Sequence, residues 1–354
     1  MGLLEETTAQ IAPQDPQWRA RAQARLEQLT MPRWALGRLM HLAVDLAGMT
    51  RSLQPPVTRR TIVTMAADHG VAAQGVSQYP SEVTRQMVAN FAAEGAAINA
   101  LAGLAGARLV VVDLGVAGDL AGLVASGRVL DRRVAPGTAD ISQGPAMSRQ
   151  QARQAVETGI GLAQDLGAQT DVFGTGDMGI GNTTPSAAIA ACLTGLPAAR
   201  VTGRGTGIDA ERLAHKVAVV TRALAVNAPD PDDGLGVLSR VGGFEIGGIA
   251  GLILGAASQR KPVVVDGFIS TAGALVARAL APACEEYTVL SHASAEAGHA
   301  AVCAHLGRRP LLDLEMRLGE GTGAALCMPL LEAAVRILTR VRTFAEAGVS
   351  TAAG

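Results

Sequence analysis

The sequence predicts an α/β fold, with a Rossmann-like parallel sheet that carries helices on both faces and a small helical domain beside it. Short β-branched runs that end in Asp, Gly or His recur along the chain and alternate with stretches of helical period. The first fifty residues, in contrast, show a helical period and no strand pattern. With 354 residues, 49% of them hydrophobic, the chain can bury a large core, and this composition excludes an intrinsically disordered protein.

Five runs mark the predicted strands. Each is short and apolar, and most are rich in Val, Ile or Thr. Because strands that are buried on both faces read as continuous apolar runs, we interpret them as parallel strands covered by helices. In chain order they are TIVTMAADHG (61–70), RLVVVDLG (108–115), TDVFGTGD (170–177), PVVVDGF (262–268) and YTVLSH (287–292).

Helices are predicted between the strands, most of them after a Ser, Thr or Asp that would cap the first turn. Pro329 lies near the predicted start of the last helix, where proline is tolerated. We expect that helix to pack on the N-terminal ones, giving a small helical domain of residues 1–55 with 325–354 and a catalytic α/β domain of residues 56–324. The predicted helices span 82–101, 148–166, 183–193, 209–226, 271–280, 295–305 and 325–341.

Charge and apolar patterning exclude several classes of partner. The 30 basic and 31 acidic residues give a net charge of −1 without a basic block, so no nucleic-acid partner is expected. The most apolar stretch, residues 242–257, is too short for a membrane span and contains Glu245, which predicts a buried helix. The four cysteines lack metal or redox spacing, and no targeting signal is readable, so we expect a cytoplasmic protein with buried thiols.

Three glycine-rich loops lie where predicted strands or connecting segments pass into helices. GTGDMG (174–179) matches the dinucleotide fingerprint GxGxxG. No Asp or Glu follows between residues 178 and 208, where the fingerprint requires an acid to bind the ribose, so only the glycines support a dehydrogenase function. TGRGTG (202–207) and LGEGTG (318–323) repeat the pattern. Each loop alone could be a structural turn. Together they predict a site for a phosphate or mononucleotide, because they expose backbone N–H groups at helix N-termini.

Two acids are candidates for the chemistry of such a site. Glu320 lies between Gly319 and Gly321, so a flat ligand could reach its carboxylate, and burial would raise its pKa toward that of a usable base. Its spacing fits equally well an acid that only complements the positive end of the last helix. Asp68 ends the first strand, where α/β sheets bind ligands, but a cap of the next turn explains it as well.

No metal or other cofactor is expected at this site. His292 and His299 lie seven residues apart in the sequence, but no third ligand with suitable spacing accompanies them. The expected partners are therefore small-molecule substrates.

Longer segments of the chain carry a resemblance to one enzyme family. They are AADHGVAAQGVSQYPSEVTRQMVANF, GDMGIGNTTPSAA, TGRGTGID, LAHKVAVV, GGFEIGGIAG, VVVDGFISTAGAL, LSHASAEAGH and RLGEGTGAAL. These segments follow one another from about residue 30 to the C-terminus. In sequence and in order, they resemble the nicotinate-nucleotide–dimethylbenzimidazole phosphoribosyltransferases.

The resemblance implies a reaction and a set of site residues. The reaction moves phosphoribose from nicotinate mononucleotide to 5,6-dimethylbenzimidazole, with inversion at the anomeric carbon, in a homodimer without metal or cofactor. Glu320 would be the base that removes the benzimidazole proton. The implied nucleotide and phosphate residues are Asp177, Gly179, Gly205, Lys216 and Ser294, and the implied residues of the benzimidazole pocket are Asp68, Ser77, Tyr79, Gln86 and Met87.

Three positions depart from the usual pattern of that family. The N-terminal PGSLG reads PRWALG (32–37), the acid of GEMGIGN is the shorter Asp177, and Glu94 replaces a usual glycine. These departures leave open an alternative function, that of a homologue with altered specificity or without catalysis that binds a mononucleotide or a benzimidazole.

Overall fold

The sheet in this computed structural model contains six parallel strands. The structure describes residues 2–205 and 207–350. The strand order β3-β2-β1-β4-β5-β6 is that of a Rossmann fold, which confirms the predicted α/β class. All five predicted runs form strands, and the short β3 is an addition. The strands are β1 Arg60–Ala67, β2 Ala107–Gly115, β3 Leu130–Asp131, β4 Val172–Met178, β5 Val263–Val265 and β6 Thr288–Leu290.

The strand order reverses between β1 and β4, at the centre of the sheet. β1 pairs with β2 on one side and with β4 on the other, so that Met65 lies opposite Val112 and Asp177. All eight residues of β1 are buried. In an open α/β sheet, such a reversal of the strand order places a crevice at the carboxyl ends of the strands.

Helices cover the sheet, and two predicted caps are confirmed, whereas Ser81 forms no side-chain cap bond before the helix Glu82–Ala92. Ser148 accepts a backbone N–H bond from Gln151 before α7, and Asp209 accepts one from Arg212 before α10. The helices are α1 Leu3–Gln10, α2 Pro16–Leu26, α3 Arg38–Thr50, α4 Glu82–Ala92, α5 Ala97–Leu104, α6 Ala121–Ala125, α7 Arg149–Gly167, α8 Thr183–Thr194, α9 Ala198–Val201, α10 Ala210–Asn227, α11 Gly234–Val241, α12 Phe244–Ser258, α13 Phe268–Leu280, α14 Ala297–His305, α15 Thr322–Arg340 and α16 Phe344–Ala347, with 3-10 helices at Gly70–Gln74 and Pro282–Tyr287.

The predicted single helix 82–101 is wrong, because the structure has two helices there, α4 and α5. Residues 93–96 separate them, and Glu94 adopts a left-handed φ of 60°. A left-handed residue cannot continue a right-handed helix. Glycine would adopt this φ without a Cβ penalty.

The predicted last helix is α15, which begins at Thr322, three residues before its predicted start, and is followed by the short α16. Pro329 therefore lies inside the helix rather than near its first turn, and that expectation was wrong. By length and composition α15 could cross a membrane, but Met328 is buried and the helix packs on α3, α5 and β4, as a core helix does. The stretch Glu82–Leu104, which passes the same test, is the interrupted pair α4 and α5.

The apolar stretch 242–257 forms the buried helix α12, as predicted. It lies against α7 at a distance that only glycines allow. A Cβ added at Gly251 would overlap the carbonyl of Val156, and one at Gly159 would overlap that of Gly248. The high glycine content thus serves, in part, close contact between helices.

Helices from the two ends of the chain pack on each other. α3 packs against α2 and α15, and Leu29 forms an isolated bridge with Thr343. α1, however, packs on α7 and α12, which cover the sheet. The division into residues 1–55 with 325–354 and residues 56–324 stays a prediction.

Candidate active site

A cavity of about 350 Å³ opens at the carboxyl ends of β4, β5 and β6, a volume within the usual range for small-molecule sites. The loops after these strands line it, together with the segment after β1 and the turn before α15. It brings together most of the residues singled out from the sequence. Those that line it are Ser77, Tyr79, Met87, Asp177, Gly179, Gly205, Ser294 and Glu320.

Glu320 lies at the tip of a left-handed turn that faces the cavity. Gly319, Glu320 and Gly321 have φ values of 84°, 64° and 98°. The Glu320 side chain is largely buried, with the residue 5% exposed, and its Oε2 accepts the backbone N–H of Ile98, in the first turn of α5, at 3.3 Å. Burial raises the pKa of Glu320, the direction that a general base requires.

A different acid, Asp266, holds the first turn of α15. Its carboxylate accepts backbone N–H bonds from Gly321 at 3.1 Å, Gly323 at 2.8 Å and Ala324 at 3.1 Å. Burial nevertheless raises the pKa of Asp266 to about 7. Because Asp266 occupies the end of α15 while the Glu320 carboxylate bonds to α5, the interpretation of Glu320 as only a partner of the last helix does not match the structure.

Asp177 lies one residue before the end of β4 and lines the cavity beside this turn. Its Oδ2 accepts an N–H from Asn182 at 3.1 Å, and its buried Oδ1 has no hydrogen-bond partner among the described residues. Burial, followed by the negative charges of Asp266, Glu245 and Glu320, raises the pKa of Asp177 well above its usual value. This concentration of buried acids favours a ligand that is cationic, or that becomes cationic, in the cavity.

A cationic side chain, Lys216, lies behind another part of the cavity wall. It is fully buried on α10 and donates to Thr183 Oγ1 at 2.6 Å. A Cβ added at Gly205 would lie 3.2 Å from Lys216 Nζ. Lys216 therefore contacts lining residues without lining the cavity itself. Burial lowers its pKa to about 8, against the opposing charge of Glu296.

Two helices begin at the cavity wall. Residues 179–183, where α8 begins, and residues 267–269, where α13 begins, are lining residues. Neither Asn182 nor Gly267 caps its helix with a side-chain bond, whereas α7 and α10 have such caps. Uncapped N–H groups and the helix dipole favour an anion. Of the predicted glycine loop GTGDMG, however, only Gly179 belongs to the segment where α8 begins, because Gly174 and Gly176 lie within strand β4.

Apolar side chains from the segment after β1 give the cavity a second kind of surface. Val76, Val83 and Met87 line it. Tyr79 and Leu318 also line it and are 53% and 57% exposed. Large exposed apolar groups at the edge of a cavity suit a flat aromatic ligand that would cover them.

Two residues expected in the benzimidazole pocket do not lie against the cavity. Asp68 Oδ2 accepts the backbone N–H of Ala117 at 2.8 Å, and its own backbone bonds to Gly115 and Thr138. Asp68 therefore ties the end of β1 to the segments after β2 and β3. Gln86 lies on the exposed side of α4.

Three buried acids near the site were not singled out as functional from the sequence. Asp266 directly follows the VVV strand, so the rule that ligands bind at strand ends could have found it. Glu245 Oε1 lies 2.8 Å from Nε2 of His69, a ring that packs beneath Gly179. Glu296 lines the cavity with a buried Oε2 that lacks a partner among the described residues. No local sequence pattern distinguishes Glu245 or Glu296.

The two histidines considered as metal ligands lie close together. Their rings stack with centroids 6.3 Å apart, His292 Nδ1 bonds to Ser291 Oγ at 2.9 Å, and His299 Nδ1 accepts the N–H of Ser294 at 3.2 Å. Burial lowers the pKa of both, that of His299 to about 4, so both rings are neutral at physiological pH. In residues 2–205 and 207–350, no three His, Cys, Asp or Glu side chains are grouped to hold a metal.

Comparisons with known proteins agree with one another over nearly the whole chain. The model of a family described as Phosphoribosyltransferase matches residues 11–349. A nicotinate-nucleotide–dimethylbenzimidazole phosphoribosyltransferase of Syntrophotalea carbinolica is 61% identical over 99% of both chains, and one of Roseiflexus is 57% identical with the same coverage. A crystal structure of the Thermus thermophilus enzyme of that name superposes with a TM-score of 0.89 at 46% identity, covering 95% of this chain and 99% of its own.

Proposed function

This chain belongs to the nicotinate-nucleotide–dimethylbenzimidazole phosphoribosyltransferase family, and from that premise we propose how its cavity carries out the transfer. The bond between C1′ of the ribose and the pyridine nitrogen of nicotinate mononucleotide breaks. A nitrogen of 5,6-dimethylbenzimidazole bonds to C1′ from the opposite face. Nicotinate and α-ribazole 5′-phosphate are the products, and the proton of the other benzimidazole nitrogen is lost.

Glu320 is the base that takes this proton. The observation that carries the assignment is its position: a buried carboxylate with a raised pKa, beside apolar residues suited to a planar base. Removing the proton as the ring attacks C1′ keeps the benzimidazole from becoming a cation. Positioned bases of this kind contribute about 10²–10⁴-fold to a rate.

The leaving group needs no general acid. Nicotinate departs from a pyridinium nitrogen, which becomes neutral as the bond breaks, whereas the leaving oxygen of a glycosidase must be protonated by a second carboxyl group. Positive charge spreads onto the ribose in the transition state. Asp177, with an unpartnered Oδ1 beside the cavity, supplies a hydrogen-bond acceptor for that sugar.

The phosphate serves as a positioning handle. The first turns of α8 and α13 line the cavity, and the buried cation of Lys216 lies behind Thr183 in its wall. Together they favour a phosphate dianion. Anchoring the phosphate places C1′ between the leaving and attacking nitrogens, and orientation of this kind lowers the barrier without contacting the reacting atoms. Gly205 and Ser294 belong to the same part of the site.

Turnover by the purified wild-type chain tests this function. Incubation with nicotinate mononucleotide and 5,6-dimethylbenzimidazole should release nicotinate and α-ribazole 5′-phosphate in equal amounts, and nicotinate release should need the base. A rise in melting temperature with both ligands but without product would contradict the proposal and favour the non-catalytic homologue. Comparing product formation among related benzimidazoles would then show which base is preferred.

We further propose that the enzyme works as a homodimer in the cytoplasm. The exposed apolar side chains Leu36, Leu104 and Leu314, together with those at the cavity edge, support a second copy as the partner that covers part of this surface. A net charge of −1 and the absence of a basic block agree with small-molecule substrates as the other partners.

A further inference from the structure

The turn that carries Glu320 is conformationally expensive. Glu320 is a non-glycine residue in the left-handed region, with φ 64°, between two glycines that are also left-handed. For an L-residue with a Cβ this conformation costs roughly 1–2 kcal/mol. Such a conformation persists only where surrounding groups determine it, and it recurs at functional sites.

The backbone of Glu320 is fixed on both sides by groups from neighbouring strands. Its N–H donates to the carbonyl of Asp177, in β4, at 3.2 Å. Its carbonyl accepts the hydroxyl of Thr64, in β1, at 2.7 Å. The next N–H, that of Gly321, donates to Asp266 Oδ2 at 3.1 Å, directly after β5.

Thr64 and Asp266 thus hold the two ends of a single peptide group. The carbonyl of Glu320 and the N–H of Gly321 belong to the same planar unit, so fixing both sets ψ of Glu320, while the bond to Asp177 sets φ. Asp266 adds two further bonds to the first turn of α15 through its Oδ1. Asp266 is itself held, by an N–H bond to Thr175 Oγ1 at 3.0 Å and by complete burial.

We propose that Asp266 is a positioning residue for the reaction: with Thr64 it fixes the Glu320–Gly321 peptide and so aims the Glu320 carboxylate at the benzimidazole. This inference rests on the proposed function, because it assigns to Asp266 an effect that acts through the base. A cap that only stabilised α15 would matter for folding and not for the rate constant of the chemical step.

The first test is Asp266→Asn, with Asp171→Asn as the matched control. Asp171 is also a buried aspartate that accepts backbone N–H bonds, from Thr58 and Arg59, but at the opposite end of β4. Both variants should melt at lower temperature. Only D266N should lose kcat, by about 10²-fold, with KM for nicotinate mononucleotide within about threefold of wild type. Equal kcat in D266N and D171N would overturn the proposal.

A double-mutant cycle with Glu320→Gln distinguishes the positioning role of Asp266 from the role of Glu320 as the base. If Asp266 acts through Glu320, then D266N/E320Q should be no slower than E320Q alone. Losses that multiply would overturn the positioning role and leave the base assignment standing. Wild-type turnover by E320Q would refute the base assignment, and the positioning role with it.

Thr64→Val provides a second test of the positioning role if D266N does not fold. Valine matches the shape of threonine but cannot donate to the Glu320 carbonyl. T64V should lower kcat and be non-additive with E320Q in the same cycle. A wild-type kcat in T64V, or losses that multiply with E320Q, would overturn the proposal.

Discussion

At the scale of single residues, burial decides what the charged groups of this site can do. Lys216 and Lys261 are the lysines of the sequence. Lys216 is completely buried beside the phosphate region, and its pKa falls to about 8 because its charged form is desolvated. Lys261 donates to the carbonyl of Thr170 at 2.7 Å, before the amino end of β4 and away from the cavity. One lysine can therefore report on substrate binding while the other serves as a reference.

The lowered pKa of Lys216 predicts a pH limit on substrate capture. Below about pH 8 the lysine is charged and attracts the phosphate; above it the charge is lost, so kcat/KM for nicotinate mononucleotide should fall toward tenfold per pH unit. The measurement is kcat/KM between pH 6 and 10. K261M should keep this fall in kcat/KM above about pH 8. K216M should lower kcat/KM and abolish the fall. An unchanged fall of kcat/KM in K216M would contradict the assignment of Lys216 to phosphate binding.

Glu94 predicts a gain in stability by a single substitution. Its φ of 60° strains a side chain that lies on the surface between α4 and α5. Glu94→Gly should raise the free energy of unfolding by about 0.5–1 kcal/mol, the difference between relieved strain and added chain entropy. Denaturant titration measures it, with Glu94→Ala as the control that keeps the strain. If E94G and E94A change the free energy of unfolding equally, backbone strain at Glu94 is not the cause of the gain.

At the scale of elements, the site depends on how closely β4 approaches the turn before α15. Gly176 lies in β4 where a Cβ would overlap the carbonyl of Glu320 and lie 2.6 Å from Thr64 Oγ1. Gly176 thus makes room for the turn that carries Glu320, whereas the dinucleotide interpretation assigned this glycine to a pyrophosphate. The same residue type therefore serves a different function from the one that the motif suggests.

Gly176→Ala should move the turn and slow catalysis. We expect a loss of about 10²-fold in kcat and a destabilisation of about 1–3 kcal/mol from overpacking. Gly161→Ala is the matched control, because a Cβ there meets open space on α7 and should stabilise the helix by about 0.5–1 kcal/mol without changing kcat. Unchanged kcat in G176A would contradict the claim that catalysis depends on the close approach of β4 to the Glu320 turn.

The elements that could be predicted from sequence are those with a local cause. The long strands have continuous apolar runs, and α7 and α10 have Ser148 and Asp209 as caps. The break at Glu94 was missed because its left-handed backbone falls on a residue other than glycine, although the neighbouring Gly95 is a signal that could have marked the break. The two-residue β3 is too short to leave a pattern.

The site was predictable to a similar degree and for similar reasons. Glu320 stands out locally because glycines bracket it, and the direction of its pKa shift follows from burial. Asp266 directly follows the VVV strand, so its place at a strand end could have marked it. Glu296 lines the cavity without any local sequence pattern that distinguishes it. Gln86 carries a residue type suited to the base pocket but lies on the outer side of α4.

At the scale of the whole molecule, the topology explains why one cavity collects these groups. Reversal of the strand order between β1 and β4 opens the sheet at its carboxyl edge, where the loops after β4, β5 and β6 meet the turn before α15. Uncapped helix ends, buried acids and an apolar surface then lie within one small-molecule volume. Residues far apart in sequence thus form one site.

The homodimer is the prediction that belongs to this scale. Sedimentation equilibrium of the full chain at micromolar concentration should give the mass of two chains. Substituting the exposed Leu36 or Leu314 by Glu should weaken association if either lies in the interface, with Val226→Glu, another exposed apolar residue, as a comparison. A monomer at all concentrations would contradict the proposed assembly.

The rate of α-ribazole 5′-phosphate formation by Glu320→Gln tests the central claim most directly. Glutamine keeps the shape of the side chain but cannot take the proton, so the rate should fall about 10²–10⁴-fold while the melting temperature stays near that of wild type. Glu315→Gln, at an exposed acid of the same segment, should retain full activity. A folded E320Q that forms product as fast as wild type would contradict the account.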